Sequence, residues 1–223
     1  MIVFKNVTKR YELNKKDIVT AVENINISFE EGEVIVLKGA SGSGKSTLLS
    51  LIAALSKPTS GEVIVDNKQI SKLADNFASV YRRDNIGFIF QKYNLIPNIS
   101  VKENILTPLI PLNLNAEVLE SKLTFVMEMY KIGHKKDVLV RNLSGGEQQR
   151  VAIARANVNN PKIIIADEPT ANLDENLSLH FIDMLRELKG LGKTIIIATH
   201  DPLFFDLNLV DREIEVHNGK LIL

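Results

Sequence analysis

A glycine-rich segment, residues 39–46, carries a lysine and a serine at a spacing suited to binding phosphate. Its sequence, Gly39-Ala40-Ser41-Gly42-Ser43-Gly44-Lys45-Ser46, matches the P-loop pattern G-x-x-x-x-G-K-[ST]. Glycines let the backbone curl so that successive N–H groups converge on phosphate oxygens. The N-terminus of the helix that follows adds partial positive charge at the same point. In such a loop Lys45 contacts the β and γ phosphates, and the Ser46 hydroxyl binds magnesium.

A chance glycine turn is the alternative explanation of this segment. A short apolar run from Val34 to Leu37 precedes it, and a helical pattern from Ser46 to Leu55 follows it. A strand before the loop and a helix after it are the context that a P-loop requires. We therefore predict that the nucleotide contacts Gly39, Ala40, Ser41, Gly42, Ser43, Gly44, Lys45, Ser46 and Thr47.

Two adjacent carboxylates follow another apolar run, residues 163–166. Asp167 and Glu168 would therefore stand at the carboxyl end of a buried strand, where ligands bind in open α/β folds. Asp167 could hold magnesium, and Glu168 could polarise the attacking water as a general base. A solvated strand end explains a lone Asp-Glu pair equally well, but a P-loop in the same chain favours the catalytic interpretation.

A second helix begins with two glycines, in the segment Leu143 to Arg150. Ser144 and Glu147 have the spacing of a capping box, so a well-capped helix explains both of them. It does not explain Gly145 and Gly146, since each glycine costs about 1 kcal/mol relative to alanine within a helix. Bare glycines let a phosphate approach the backbone at a helix N-terminus. Because one nucleotide does not need two such helix ends, this pattern suggests a site shared between two molecules.

The pattern of apolar residues predicts the elements that position these groups. Unbroken apolar runs favour strands buried on both faces of a parallel sheet, at residues 34–37, 86–90, 163–166 and 194–198. Helical patterns separate them, at residues 46–55, 117–130, 147–157 and 175–189. Apolar Ile25, Ile27 and Phe29 alternate with polar Asn26 and Ser28, the period of a half-buried strand, and we expect the first 30 residues to form a small antiparallel sheet. We therefore predict an α/β P-loop NTPase core, residues 1–91 and 159–223, with a helical subdomain inserted at residues 92–158.

The whole chain resembles the ATP-binding cassette (ABC) ATPases, motif by motif and in order. LSGGEQQRVAIARA, residues 143–156, is similar to the family's signature segment. Gln91 stands where the family has a glutamine that contacts magnesium and water, and Asn172-Leu173-Asp174 resembles its dimer-contact loop. His200 matches the switch histidine that contacts the γ-phosphate, and Tyr11 matches the aromatic residue that stacks on adenine.

The resemblance implies the mechanism and the remaining roles. Two copies would meet head to tail and enclose two ATP molecules, each between one P-loop and the partner's signature residues Ser144, Gly145, Gly146 and Glu147. Glu168, His200 and Gln91 would be catalytic, Ser46, Gln91 and Asp167 would bind Mg²⁺, and Asp174 would contact the second copy. Hydrolysis would drive a separate membrane permease. The motifs look most like the lipoprotein-release and macrolide-export branch, and a cell-division cassette that moves no substrate is the alternative.

Composition narrows the function classes. Lys plus Arg and Asp plus Glu each number 27, so the chain has no net charge with which to attract a polyanion, and we expect no nucleic-acid partner. There is no cysteine, hence no thiolate metal site. The longest apolar runs are far shorter than the ~20 residues of a membrane span, and the first residues do not resemble a signal peptide. We expect a cytoplasmic protein held on the inner face of the membrane by its permease.

Overall fold

Two β-sheets stacked with helices make up the computed structural model, which describes residues 1–12, 17–171 and 173–222. The strands are β1 (Ile2–Glu12), β2 (Ile18–Phe29), β3 (Val34–Lys38), β4 (Ser60–Val65), β5 (Lys68–Gln69), β6 (Ile86–Ile89), β7 (Ile163–Asp167), β8 (Thr194–Thr199), β9 (Arg212–His217) and β10 (Lys220–Ile222). The α-helices are α1 (Lys45–Ile52), α2 (Asp75–Asn85), α3 (Val101–Leu106), α4 (Ala116–Met129), α5 (Gly145–Asn157) and α6 (Glu175–Gly190). Short 3₁₀ turns lie at Ile70–Lys72, Thr107–Leu112, Gly133–Lys135, Val140–Asn142 and Pro202–Phe204.

The larger sheet has the strand order β10-β9-β3-β8-β7-β6. Its strands are parallel except for β10, which forms an antiparallel hairpin with β9. The smaller sheet is antiparallel, in the order β2-β1-β4-β5. The predicted fold class is therefore confirmed, but β4 and β5 join the antiparallel sheet from beyond the first 30 residues.

Both faces of the larger sheet are buried, which explains the unbroken apolar runs. In β3, Val34 and Val36 face a cluster that includes α5 and α6, while Ile35 and Leu37 face a second cluster that includes α1 and the antiparallel sheet. The same alternation recurs in β7 and β8. Because each successive side chain of a strand points to the opposite face, burial on both sides demands apolar residues at every position.

Helices and 3₁₀ turns fill residues 92–158, between the neighbouring strands β6 and β7. Apolar side chains of α3, α4 and α5 join the same core cluster as one face of the larger sheet. This stretch is thus helical, as expected, and shares the core of the sheet. Its treatment as a subdomain with boundaries at 91/92 and 158/159 stays a prediction. Within the described ranges, no helix combines the length and the hydropathy needed to cross a membrane.

Candidate active site

The P-loop joins β3 to α1 in a conformation that its glycines permit. Gly39 and Gly44 have φ angles of 151° and 112°, in the region that favours glycine. A Cβ atom on Gly39 would lie 2.2 Å from the carbonyl oxygen of Val216, and one on Gly44 would lie 2.5 Å from that of Ala21. These two positions therefore exclude a side chain both by conformation and by space, and the loop wraps tightly against β9 and β2.

The side chain of Lys45 lies inside the curl of this loop. It is 5% exposed, and its ammonium donates to the carbonyl oxygens of Gly39 at 2.6 Å and Ala40 at 3.0 Å. The same nitrogen lies 3.6 Å from Glu168 Oε1. The P-loop lysine and the second carboxylate of the acidic pair are thus adjacent, as their predicted places at one edge of the sheet require.

Ser46 and Asp167 bring oxygen donors together at the start of α1 and the end of β7. The Ser46 hydroxyl donates to Asp167 Oδ1 at 3.0 Å. Burial raises the pKa of the Asp167 carboxyl, and the negative charge of Glu168 acts in the same direction, while the Ser46 hydrogen bond and Lys45 oppose them. Gln91 lines the same cavity as this pair. Hydroxyl, carboxylate and amide oxygens are the donors that Mg²⁺ prefers, so these residues fit that ion.

Glu168 is a non-glycine residue in the left-handed region, with φ 45°. Its backbone N–H donates to the carbonyl of Ala198 at 2.8 Å. Its carboxylate oxygen Oε2 accepts hydrogen bonds from the Thr199 hydroxyl at 3.1 Å and from the backbone N–H of His200 at 3.3 Å. The imidazole Nδ1 of His200 lies 3.0 Å from Oε1, within reach to donate a hydrogen bond when it carries a proton.

These groups line one cavity of about 440 Å³, which is within the range of small-molecule sites. Its walls are Val19, Thr20, Ala21, Ser41, Gly42, Ser43, Gly44, Lys45, Ser46, Thr47, Gln91, Asp167, Glu168, His200, Asn218 and Gly219. Most predicted site residues therefore meet in one place. A groove of about 500 Å³ between residues 23–26 and Lys220–Leu221 has no such set of phosphate-binding groups.

Tyr11, the predicted adenine platform, is not in that lining. It lies on β1 opposite Val19 of β2, which does line the cavity. Its side chain is 38% exposed, and the ammonium of Lys9 lies 4.8 Å from the centre of its ring. The structure thus places Tyr11 beside the cavity, and its stacking on a base stays a prediction.

The signature segment begins α5, also outside the cavity lining of its own chain. Ser144 is the N-cap residue, and the predicted capping box is present. Its hydroxyl accepts from the backbone N–H of Glu147 at 3.4 Å, and a carboxylate oxygen of Glu147 accepts from the backbone N–H of Ser144 at 2.8 Å. The Ser144 hydrogen bonds lower the pKa of the Glu147 carboxyl, and Lys135, 3.1 Å away, lowers it further.

The two signature glycines have different surroundings. A Cβ atom on Gly146 would lie 2.6 Å from Cδ2 of Leu177, a residue of α6. A Cβ atom on Gly145 would meet no other atom within 4 Å. Packing within the chain therefore accounts for a small residue at Gly146, whereas Gly145 keeps its predicted explanation, the approach of a phosphate. Contact of either glycine with a partner's nucleotide stays a prediction.

Asp174 has a local role in addition to the predicted contact with a second copy. It is the N-cap residue of α6, and its carboxylate accepts from the backbone N–H of Leu177 at 2.9 Å. Asn172, from the same predicted dimer-contact loop, lies outside the described residues. Three residues of the site were not predicted from the sequence: Thr199, which donates to Glu168, and Asn218 and Gly219, which line the cavity.

Comparison with known proteins identifies a family. The family model described as ABC transporter matches residues 22–171. The ABC transporter ATP-binding protein MJ0796 of Methanocaldococcus jannaschii is 44% identical over 206 residues, covering 90% of this chain and 87% of the relative. Its dimeric post-hydrolysis structure, bound to ADP and Pi, aligns over 100% of this chain and 97% of that one, with a TM-score of 0.91 and 39% identity.

Two further relatives have names that describe transport. The lipoprotein-releasing system ATP-binding protein LolD of Blochmanniella floridana is 43% identical over 197 residues, 88% of this chain and 83% of LolD. The macrolide export ATP-binding/permease protein MacB of Campylobacter jejuni is 36% identical over 222 residues, 100% of this chain and 34% of MacB.

Proposed function

This chain belongs to the ABC transporter family, and we propose that it uses magnesium-dependent ATP hydrolysis to drive a permease of the lipoprotein-release or macrolide-export kind. The chain is an ATP-hydrolysing transporter subunit that dimerises. Four further points belong to the proposal: the requirement for magnesium, the roles of individual residues, the location at the membrane surface and the class of cargo. The names of LolD and MacB support the class of cargo, because this chain is 43% identical to LolD over 83% of that relative and 36% identical to MacB over 34% of it.

One observation carries the chemical part of the proposal. Lys45, which would bind the β and γ phosphates, lies 3.6 Å from the carboxylate of Glu168, and both line a cavity sized for a small molecule. A base that activates water must lie next to the charges that hold the γ-phosphate, where it can accept the proton of a water that attacks the phosphorus opposite the leaving group. The adjacency of Lys45 and Glu168 meets that requirement.

The residues of this chain then divide the work of hydrolysis. Lys45 and the P-loop N–H groups hold and orient the phosphates, and Glu168 accepts the proton of the attacking water. His200, in contact with Glu168, would orient that carboxylate and contact the γ-phosphate of bound ATP. Ser46, Asp167 and Gln91 would hold Mg²⁺, which when bound neutralises charge that develops on the phosphate oxygens.

Glu168→Gln tests the proposal directly. The amide cannot accept a proton from water, so the variant should bind ATP yet lose hydrolysis by about a hundredfold or more. ATP with magnesium should then hold it as a dimer in size-exclusion chromatography, and a chelator should return it to its nucleotide-free elution. Glu128→Gln, an exposed carboxylate on α4, is the matched control and should behave as wild type. A Glu168→Gln protein that hydrolyses ATP at the wild-type rate contradicts the assigned role.

A further inference from the structure

Glu168 combines a disfavoured backbone with a carboxylate that has two differently bonded oxygens. Its φ of 45° is in the left-handed region, which a residue of this type occupies only where its surroundings hold it there. Oε1 faces Lys45 at 3.6 Å, and Oε2 points to the end of β8, where it accepts from Thr199 and from the backbone of His200. Oε1 thus lies between the P-loop lysine and the His200 imidazole, whose Nδ1 is 3.0 Å away, while Oε2 is held by the hydroxyl and the backbone at the end of β8.

The Thr199 hydroxyl can act only as a donor toward Glu168. Its oxygen already accepts the backbone N–H of Asp201 at 3.0 Å, and an N–H group can only donate. The one hydroxyl proton is thus available for Oε2, 3.1 Å away, and an ionised carboxylate can only accept. Thr199 is completely buried, so water does not compete for this hydrogen bond.

Asp201 closes this arrangement into a ring. Thr170 lies two residues after Glu168, and its hydroxyl donates to Oδ2 of Asp201 at 2.7 Å. The other oxygen of Asp201, Oδ1, accepts from the backbone N–H of Leu203 at 3.0 Å. Thr170 is also buried. The Glu168 side chain and Thr170 are therefore connected to the backbone on either side of His200 through Thr199 and Asp201.

We propose that Thr199 is a positioning residue for hydrolysis: its hydroxyl tethers Oε2 of Glu168 so that Oε1 faces the Lys45 side of the cavity. This inference rests on the proposed role of Glu168 as the base that activates water. It predicts that loss of the hydroxyl slows the chemical step and leaves the binding of ATP intact. The Thr199 side chain does not line the cavity, so it has no direct contact with nucleotide to lose.

The test compares Thr199→Val, which keeps the shape and removes the hydroxyl, with Thr199→Ser, which keeps the hydroxyl and removes the methyl. Thr199→Val should lower kcat about ten- to a hundredfold, because a hydrogen bond to a charged group is lost, and should leave ATP affinity within about threefold. With ATP and magnesium its dimer should persist longer than that of wild type. Thr199→Ser should restore kcat to within about threefold.

Thr194→Val is the matched control on the same strand. Thr194 is also buried, and its hydroxyl accepts one backbone hydrogen bond, from Gly32, at the opposite end of β8. This variant should keep kcat and ATP affinity near wild type. The melting temperatures of all three variants are measured beside their kinetics. A loss of stability that Thr199→Val shares with Thr194→Val then cannot be mistaken for an effect on the chemical step.

Three results would overturn the inference. Thr199→Val could turn over ATP at the wild-type rate, Thr199→Ser could be as slow as Thr199→Val, or Thr199→Val could lose ATP affinity together with kcat, which indicates a merely structural role. Glu168→Gln is assayed in parallel. If it is inactive while Thr199→Val is normal, only the Thr199 inference fails; if Glu168→Gln itself is fully active, the proposed base is wrong.

Discussion

The Lys45 ammonium lies 3.6 Å from Glu168 Oε1, although Lys45 precedes the helical stretch at residues 92–158 and Glu168 follows it. Lys45 is almost completely buried and also donates to two carbonyl oxygens of its own loop. Its charge is thus held in place by oxygen atoms on several sides. A phosphate group that enters the loop would add oxygens around a cation that is already oriented, at little cost in side-chain entropy.

Replacing Lys45 with alanine should weaken the binding of ATP by about ten- to a hundredfold, because charge-assisted hydrogen bonds to the phosphates are lost. Titration with a fluorescent ATP analogue measures the change. Lys38→Ala is the matched control: Lys38 ends β3, pairs with Glu213 at 3.2 Å and lies outside the cavity lining. Unchanged affinity in Lys45→Ala would rule out the P-loop assignment.

Complementation tests whether the signature segment acts on the partner's ATP. A Lys45→Ala subunit has a defective P-loop and an intact signature, and a Ser144→Arg subunit has the reverse. In a mixed dimer, one composite site combines both intact parts and the other combines both lesions. Mixing the two inactive variants should therefore restore hydrolysis, to at most about half of the wild-type rate per mixed dimer if the sites are independent.

The control for the complementation experiment is cross-linking, which shows whether the two variants form a mixed dimer. If mixed dimers form and no ratio of the two variants recovers activity, a repeat with Ser144→Ala separates two explanations. This milder lesion should rescue two sites that are shared but coupled. A signature that serves the nucleotide of its own subunit would gain nothing from the partner.

The two signature glycines should differ in their effect on stability. Gly145→Ala adds a methyl group in open space at the start of α5 and should raise the free energy of unfolding by about 0.5 kcal/mol. Gly146→Ala forces Leu177 to move and should lower it by about 1 kcal/mol. Thermal denaturation without nucleotide measures both. In a Leu177→Ala background the penalty of Gly146→Ala should disappear; if it persists, the cause is not the contact with Leu177.

Asp167→Asn should stabilise the protein at neutral pH in the absence of metal. Burial raises the pKa of this carboxyl, so the native state favours its protonated form, and stability falls as the pH rises from the ordinary aspartate pKa through the raised one. Asparagine has no carboxyl group to ionise, so the variant does not lose stability as the pH rises. The melting temperature in a chelator should therefore exceed that of wild type near pH 7, and the difference should shrink in acid. Asp183→Asn, at an exposed carboxylate on α6, should show no such gain.

Contiguous motifs made much of this site predictable from sequence. The P-loop, the acidic pair and His200 stand at the carboxyl ends of the buried strands β3, β7 and β8. Because these strands are parallel, their carboxyl ends lie at one edge of the sheet and bring the three groups together. The capping box of Ser144 and Glu147 could be predicted because its hydrogen bonds join residues three apart.

Other features depend on contacts between distant segments or on weak patterns. The residues around Gly146 in the sequence do not reveal its close approach to Leu177. Likewise, the residues around Thr199 do not reveal that its hydroxyl reaches Glu168. The helix α2 is not among the predicted helices, because its apolar residues, Phe77, Ala78, Val80 and Tyr81, span little more than one turn. The helix α1 ends at Ile52 rather than Leu55, since the chain turns through a left-handed Ala54.

The position of β3 in the larger sheet has a consequence for biosynthesis. Its neighbours are β8 and β9, which the ribosome makes last among the parallel strands, so the strand that carries the P-loop has no partner in that sheet until most of the chain has been translated. Pairing over such a separation is slow and leaves apolar edges open in the meantime. We expect the nascent polypeptide to gain nucleotide affinity only after β8 and β9 have left the exit tunnel, with chaperones covering β3 before then.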